Sequence, residues 1–227
     1  MTKPIIGTEI KPLVATDFHF GAVILAAGFS TRMGKPKMTL PWGGTTILGR
    51  LISQWTAVGT TQLAVVIRPD AVEIQSELDR LHFPQENRIP NPNAKQGMFS
   101  SIQCAANWPA WDDHLKAFAL VLGDQPHLQQ QTLEQLRDFA AQHKTLICQP
   151  ELDRRARHPV FLPRPIFCEL QVTVAETLKD FLSEKADISR TVGINDPGLL
   201  LDLDKPADYE QAVRQIPLDG GDRRDAK

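Results

Sequence analysis

The sequence predicts an α/β fold: a mostly parallel sheet with helices on both faces, three layers in all. Three observations carry this. Residues 22–25, 63–67 and 117–122 are apolar from end to end, the pattern of strands buried on both faces. Between them lie segments whose apolar residues recur at helical spacing, so strands and helices alternate along the chain. The residues that follow the first and third runs are small, glycine-containing and charged, and in parallel sheets ligands bind beyond the carboxyl ends of the strands.

The elements follow in order. The first strand begins near Phe20 and runs into a basic loop that ends at Lys37. Trp42, Gly43 and Gly44 read as a turn, after which Ile47, Leu48, Leu51, Ile52, Trp55 and Val58 mark a helix that stops at Gly59. The second strand ends at Arg68-Pro69-Asp70, and Val72, Ile74, Leu78 and Leu81 suit a short helix. Residues 84–96, rich in Pro, Asn and Gln, read as loop with a short strand around Ile89. Gly97 opens a helix that reaches about Asn107. The third strand ends in Gly123-Asp124-Gln125-Pro126, and the helix after it carries Leu133, Leu136, Phe139 and Ala140 on one face. Residues 145–148 give a fourth strand. Residues 150–163 turn from polar to apolar at Val160, consistent with a hairpin or a sheet edge. A helix is expected over 174–182, short strands near 191–194 and 199–201, and a last helix from about Pro206 to Arg214. Residues 1–19 read as a leader, 20–216 as one domain and 217–227 as a disordered tail.

Composition narrows the function classes. The chain has 227 residues, enough for one full core, and 42% hydrophobic and 23% charged residues place it among ordinary globular proteins. A net charge of −2 offers no global field for nucleic acid or a membrane surface, so anion binding here is local and suits a small ligand. Cys104, Cys148 and Cys168 are odd in number and widely spaced, with no CxxC, which fits reduced thiols in a cytoplasmic protein. The first twenty residues include Lys3, Glu9, Lys11 and Asp17 and do not read as a signal peptide; no later run is long enough to span a membrane.

Three loops look chemical. The first, residues 25–37, joins small residues and two glycines to Arg32, Lys35 and Lys37. Backbone N–H groups and fixed cations then meet on one anion, with Arg32 able to fork onto phosphate oxygens and Lys37 acting as a mobile point charge. It is neither a Walker loop nor GxGxxG. The second carries Asp124 just past an apolar strand, where a carboxylate facing a phosphate loop serves to hold Mg²⁺; an aspartate closing its own turn before Pro126 is the plain alternative. The third offers Asp202 and Asp204, with Asp204 also placed to cap the helix that Pro206 begins. Gly97, Ser100 and Ser101 open a helix whose free N–H groups and hydroxyls suit a base or phosphate, or simple capping. His158 adjoins Arg154, Arg155 and Arg157, a candidate anion patch, although a lone histidine before proline is more often structural.

The pattern Leu25-Ala26-Ala27-Gly28-x-Ser30-x-Arg32-Met33-Gly34-x-x-Lys37 resembles the signature of nucleotidyltransferases that act on small molecules, and more narrowly the molybdenum cofactor cytidylyltransferase group and the related guanylyltransferases. Gly97-Met98-x-Ser100-Ser101-Ile102, Gly123-Asp124-Gln125-Pro126 and Asp202-Leu203-Asp204-x-Pro206 match in the same order, so the resemblance covers roughly residues 20–215. It implies a Rossmann-like fold of the nucleotide-diphospho-sugar transferase type. It implies that Arg32 and Lys37 are catalytic and contact the phosphates of a nucleoside triphosphate. Leu25, Ala26, Ala27, Gly28, Gly97 and Ser101 would bind the nucleotide, Asp124 and Asp204 would hold Mg²⁺, and His158 would border the acceptor. Ala27 stands where guanylyltransferase relatives tend to have glycine, and its methyl takes space that a purine needs, which favours CTP. Arg157 and Lys205 depart from glycine and threonine in relatives, the first narrowing or recharging the acceptor pocket.

The resemblance therefore implies cytidylyl transfer from CTP to a molybdopterin-type acceptor with release of pyrophosphate, and an apo-molybdoenzyme as a possible recipient of the product. Transfer of guanylyl or another nucleotidyl group to a different phosphate, and a non-catalytic maturation factor that carries the cofactor, are the alternative expectations. Paired metal carboxylates are what a pure carrier would not need.

Overall fold

Six residues without a polar side chain, Phe20–Leu25, form β1, and every one of them is buried. A computed structural model of the chain describes residues 18–215. The expected leader up to residue 17 and the expected tail over 217–227 lie outside the described residues. After β1 come a short hairpin of β2 (Pro41–Trp42) and β3 (Thr45–Thr46), then α1 (Ile47–Ala57), β4 (Gln62–Ile67), α2 (Val72–Arg80), β5 (Arg88–Pro90), α3 (Met98–Ala106) and β6 (Ala117–Leu122). The second half runs α4 (Gln130–Gln142), β7 (Ile147–Leu152), β8 (Arg155–Ala156), β9 (Val160–Pro163), α5 (Arg164–Glu169), α6 (Leu178–Ser183), β10 (Ser189–Gly193) and α7 (Pro206–Gln215).

The main sheet has eight strands in the order β10-β7-β9-β6-β1-β4-β5, with β8 paired to β7. β1 is parallel to both neighbours, with Leu25 opposite Val66 of β4 and Leu122 of β6. Alternate residues of β1 serve two cores. Phe20, Ala22 and Ile24 pack with Leu48 and Trp55 of α1, Leu78 of α2 and Leu136 of α4. Val23 and Leu25 join Ile102 of α3, Phe167 of α5 and Phe181 of α6. The result is the three-layer, mostly parallel α/β sheet that the apolar runs predict. Local chemistry starts the helices: Thr46 Oγ1 accepts the Gly49 N–H at the head of α1, and Thr177 Oγ1 accepts that of Asp180 at the head of α6. Among the described residues no helix is long and apolar enough to cross a membrane.

Four local expectations are corrected. Of the two expectations for residues 150–163 the hairpin is present, as β7 and β8, but the sheet edge is not. β9 lies inside the sheet, antiparallel to β6 along four residue pairs and to β7 at Phe161 and Cys148. All four of its residues are buried, and the polar approach that made it look peripheral is the hairpin of β7 and β8. The fourth strand starts later and runs further than residues 145–148. The helix expected from residue 174 begins at Leu178, because Thr177 caps it; Val174 points outward at 93% exposure. The strand expected at 199–201 is a 3₁₀ turn, Pro197–Leu200, closed by Asp196 accepting the Gly198 N–H. α5 has no counterpart in the sequence reading; six residues are too few to show a helical period.

Phe161, 1% exposed, ties the inner antiparallel strand to the rest of this core, with ring centroids 5.3 Å from Phe20 and 6.1 Å from Trp55. Phe161→Ala is expected to lower the unfolding free energy by about 3–5 kcal/mol in urea titrations; a loss below about 1 kcal/mol would show that the site collapses around the missing ring.

Candidate active site

The in-register pairing of β1 with β6 sets the site. The chain leaves both strands at the same level, so the loops after Leu25 and after Leu122 run side by side. The first loop is folded tightly on itself. Ser30 takes a left-handed conformation (φ 51°) and its Oγ accepts the Lys37 N–H at 3.0 Å, closing the loop end to end. Gly34, at φ 69°, makes the second left-handed turn that most side chains resist. Buried Met33 and Met38 pin the loop into the core, leaving Arg32 and Lys37 on its open side. Gly123 brings the second loop close: a Cβ there would sit 2.8 Å from the Leu25 carbonyl oxygen and 2.9 Å from Met38 Sδ. The next residue, Asp124, then places Oδ2 at 3.5 Å from Lys37 Nζ.

A cavity of about 480 Å³ opens at this junction. Leu25, Ala26, Ala27 and Gly28 form its floor, Arg32 and Lys37 one wall, Gly97 and Ser101 the opposite wall, and Asp124 and Asp204 the end. Thus ten of the eleven residues to which the resemblance assigns a role line one cavity. His158 is the exception. The α3 wall is held by a residue that the sequence reading left inside a loop. Asn91 is fully buried and donates from Nδ2 to both Ser100 Oγ and Ser101 Oγ at 2.9 Å, while its Oδ1 accepts the Asn93 N–H. Ser100 bonds back to the Gly97 carbonyl, so Ser100 shapes the turn and Ser101 faces the cavity. Arg68 is a second omission: it donates to the Gly28 carbonyl and lies 4.2 Å over the Phe29 ring, bracing the floor from outside. Its place at the end of an apolar run, opposite the basic loop, was the available signal.

Asp204 is not the helix cap. Asp208 takes that work, its Oδ2 accepting the N–H of Lys205 at 2.8 Å and of Asp204 at 3.3 Å. The Asp204 carboxylate is thereby free to pair with Arg32 at 2.8 Å across the cavity mouth. The Leu203 N–H donates to the Asp124 carbonyl, which ties the two acidic loops together. Asp124 is the more buried carboxylate. Burial pushes its pKa up, partly offset by Lys37 and reinforced by Asp202 and Asp204. Its Oδ1 is buried and has no hydrogen-bond partner among the described residues. Asp202 turns from the cavity to accept from Gln125 Nε2 at 3.3 Å.

His158 does not line the cavity; it lies near Asp202 and the Leu120 backbone. Some of its surface remains open, but Nδ1 is fully covered and unpartnered, and the burial of the ring holds its pKa down at about 4. Arg154 and Arg155 stay exposed on the β7–β8 hairpin. Burial also drives the Cys148 thiol up to about 12, which leaves it an inert core group. Among the described residues no group of three or more His, Cys, Asp or Glu side chains is arranged to hold a metal by itself.

The profile of the MobA-like NTP transferase domain matches residues 22–188. The chain belongs to this family. Its curated relatives include the bifunctional protein GlmU of Bifidobacterium animalis subsp. lactis, 32% identical over 125 residues, which is 52% of this chain and 26% of that protein. This chain therefore aligns with only about a quarter of that relative's length. Among solved structures, Rv0371c of Mycobacterium tuberculosis superposes with a TM-score of 0.69 at 23% identity, covering 88% of this chain and all of the other. Rv0371c has also been solved in complex with manganese, matching here at TM-score 0.61 and 21% identity, with coverage of 88% and 100%. Molybdopterin-guanine dinucleotide biosynthesis protein A of Archaeoglobus fulgidus superposes at TM-score 0.63 with 14% identity, over 86% of this chain and 97% of the other. These likenesses establish the nucleotide-diphospho-sugar transferase type of fold for this MobA-like domain.

The buried imidazole of His158 links stability of the MobA-like domain to pH. Unfolded, the ring titrates near 6.5; folded, near 4. The unfolded chain therefore takes up the proton first, and stability falls as pH drops through that window. At about 1.4 kcal/mol per pH unit the loss amounts to roughly 3 kcal/mol. His158→Gln is expected to flatten the dependence of unfolding free energy on pH between these values; an unchanged slope would assign the loss to other groups.

Proposed function

We propose that this protein is a Mg²⁺-dependent nucleotidyltransferase that moves the cytidylyl group of CTP onto the phosphate of a molybdopterin-type acceptor. The observation that carries the reading is the convergence of Arg32, Lys37, Asp124 and Asp204 on one cavity floored by Leu25, Ala26, Ala27 and Gly28. Two cations beside a glycine-containing backbone loop suit a polyphosphate. Membership of the MobA-like NTP transferase family supports nucleotidyl transfer, and the likeness to a molybdopterin-guanine dinucleotide biosynthesis protein favours a molybdopterin-type acceptor.

The acidic end of the cavity fits a hard divalent cation. Asp124 presents a buried oxygen with no hydrogen-bond partner, Asp204 is within reach of the same cavity, and both offer the oxygen donors that Mg²⁺ selects. Two carboxylates completed by substrate phosphates are an ordinary Mg²⁺ donor set, which explains why no third acidic ligand is needed. When bound, the ion neutralises triphosphate charge and polarises the phosphorus under attack.

The chain's own groups do the rest. An acceptor phosphate oxygen attacks the α-phosphorus in line; a new P–O bond forms, and the bond to the bridging oxygen breaks with its electron pair leaving on pyrophosphate. The attacking phosphate is already anionic, so no general base is required, and catalysis consists of positioning and charge neutralisation. Lys37, held through its own N–H by Ser30, offsets charge on the α-phosphate. Arg32 exchanges its Asp204 partner for the departing pyrophosphate. Gly97 and Ser101 line the side for base and ribose, and the buried methyl of Ala27 reduces the room there in favour of a pyrimidine. His158, near Asp202, is assigned to the border of the acceptor site.

Lys37→Ala is expected to reduce kcat/KM by well over tenfold in a pyrophosphate-release assay, the scale on which lost transition-state charge stabilisation registers; unchanged turnover removes Lys37 from the mechanism. Asp124→Asn should abolish Mg²⁺-dependent turnover, and retained activity would sink the assignment of the metal. Of the four ribonucleoside triphosphates with Mg²⁺, CTP should raise the melting temperature most; a larger shift with GTP would transfer the reading to guanylyl transfer.

A further inference from the structure

A second cavity, of about 800 Å³, lies between the loop after β6, the Pro197–Leu200 turn and α7, with α1 at its side. It shares no lining residue with the first. Pro126, Leu128, Pro197 and Leu201 make its walls largely apolar, and Leu200, 50% exposed, stands at its rim. One cation enters it, Arg50 of α1. Among the described residues Arg50 makes no ion pair or hydrogen bond, and its Nε is buried without a partner.

The one carboxylate lining this cavity cannot serve Arg50. Both oxygens of Asp196 are already committed: Oδ2 accepts the Thr132 hydroxyl at 2.7 Å and the Gln129 N–H at 3.0 Å, and Oδ1 accepts the Gly198 N–H at 2.9 Å. Asp196 builds the turn and has no bonding capacity turned to the cavity. A guanidinium left uncompensated against apolar walls is a poor arrangement for stability and a good one for ligand capture. The planar fork matches a carboxylate or a phosphate, and the apolar walls match a hydrocarbon or ring body. A metal ion is excluded by the lack of a free carboxylate, and a triphosphate is poorly served by one cation.

We propose that this cavity is a binding site for a small organic oxyanion, one anionic head on Arg50 and an apolar body against Pro126, Leu200 and Leu201. The site stands apart from the nucleotide reading above, and neither depends on the other. Pro126, His127 and Leu128 of its lining continue the loop that carries Asp124 into the first cavity.

Isothermal titration of the full chain with phenyl phosphate and, in parallel, phenylacetate tests this and separates a phosphate ester from a carboxylate. At least one probe should bind at a single site, with affinity falling at least about tenfold in Arg50→Gln and partly restored in Arg50→Lys. Gln211→Glu, which adds a like charge at an exposed lining position without disturbing the core, should weaken binding too. Lys37→Ala, in the first cavity, should leave it unchanged. The proposal is overturned if neither probe binds, if Arg50→Gln and Gln211→Glu bind as tightly as the native chain, or if Lys37→Ala abolishes binding.

Discussion

The candidate site depends on one close approach. Where β6 ends, Gly123 lies so near the Leu25 carbonyl and Met38 that a single methyl group would collide with both. That contact sets two loops side by side and carries Asp124 to Lys37. Each loop is rigid for a local reason: the Ser30–Lys37 closure on one, the Leu203–Asp124 backbone bond on the other. Preorganised charge is worth most where little has to move at the moment of reaction, and here the backbone has already been placed.

Electrostatics at the cavity is a matter of matched exchange. Arg32 and Lys37 each face a carboxylate, Asp204 and Asp124. The Arg32 pair lies mostly in solvent and adds little to stability, so it can be given up to a ligand without cost to the fold. The Lys37–Asp124 contact is longer and more enclosed, and Asp124 keeps an oxygen without a partner. An anionic substrate and a divalent cation entering together would satisfy both sides.

Neighbouring residues divide their work so that these groups stay available. Asp208 caps α7 and spares Asp204; Asn91 holds both serine hydroxyls and so fixes Ser101 at the cavity. Asp196 closes a turn, and in doing so leaves Arg50 without an acid in the second cavity.

The sequence by itself determined the layers and most of the site. Runs such as Ala117–Leu122 are apolar along their length, which suits an interior strand covered on both faces, and the spacing of Ile47, Leu51 and Trp55 suits a helix packed on a sheet. Glycines, cations and aspartates at strand ends marked the loops, because ligands collect there. Tertiary structure alone decided the rest. β9 became an inner antiparallel strand through sequence-distant partners on β6, from Ala117 opposite Pro163 to Leu120 opposite Val160, which local pattern does not encode. His158 was placed outside the cavity lining, Asn91 was drawn into the core, and Asp204 was relieved of capping by Asp208. Each is a choice between hydrogen-bond partners that are distant or equivalent in sequence, and packing settles such choices.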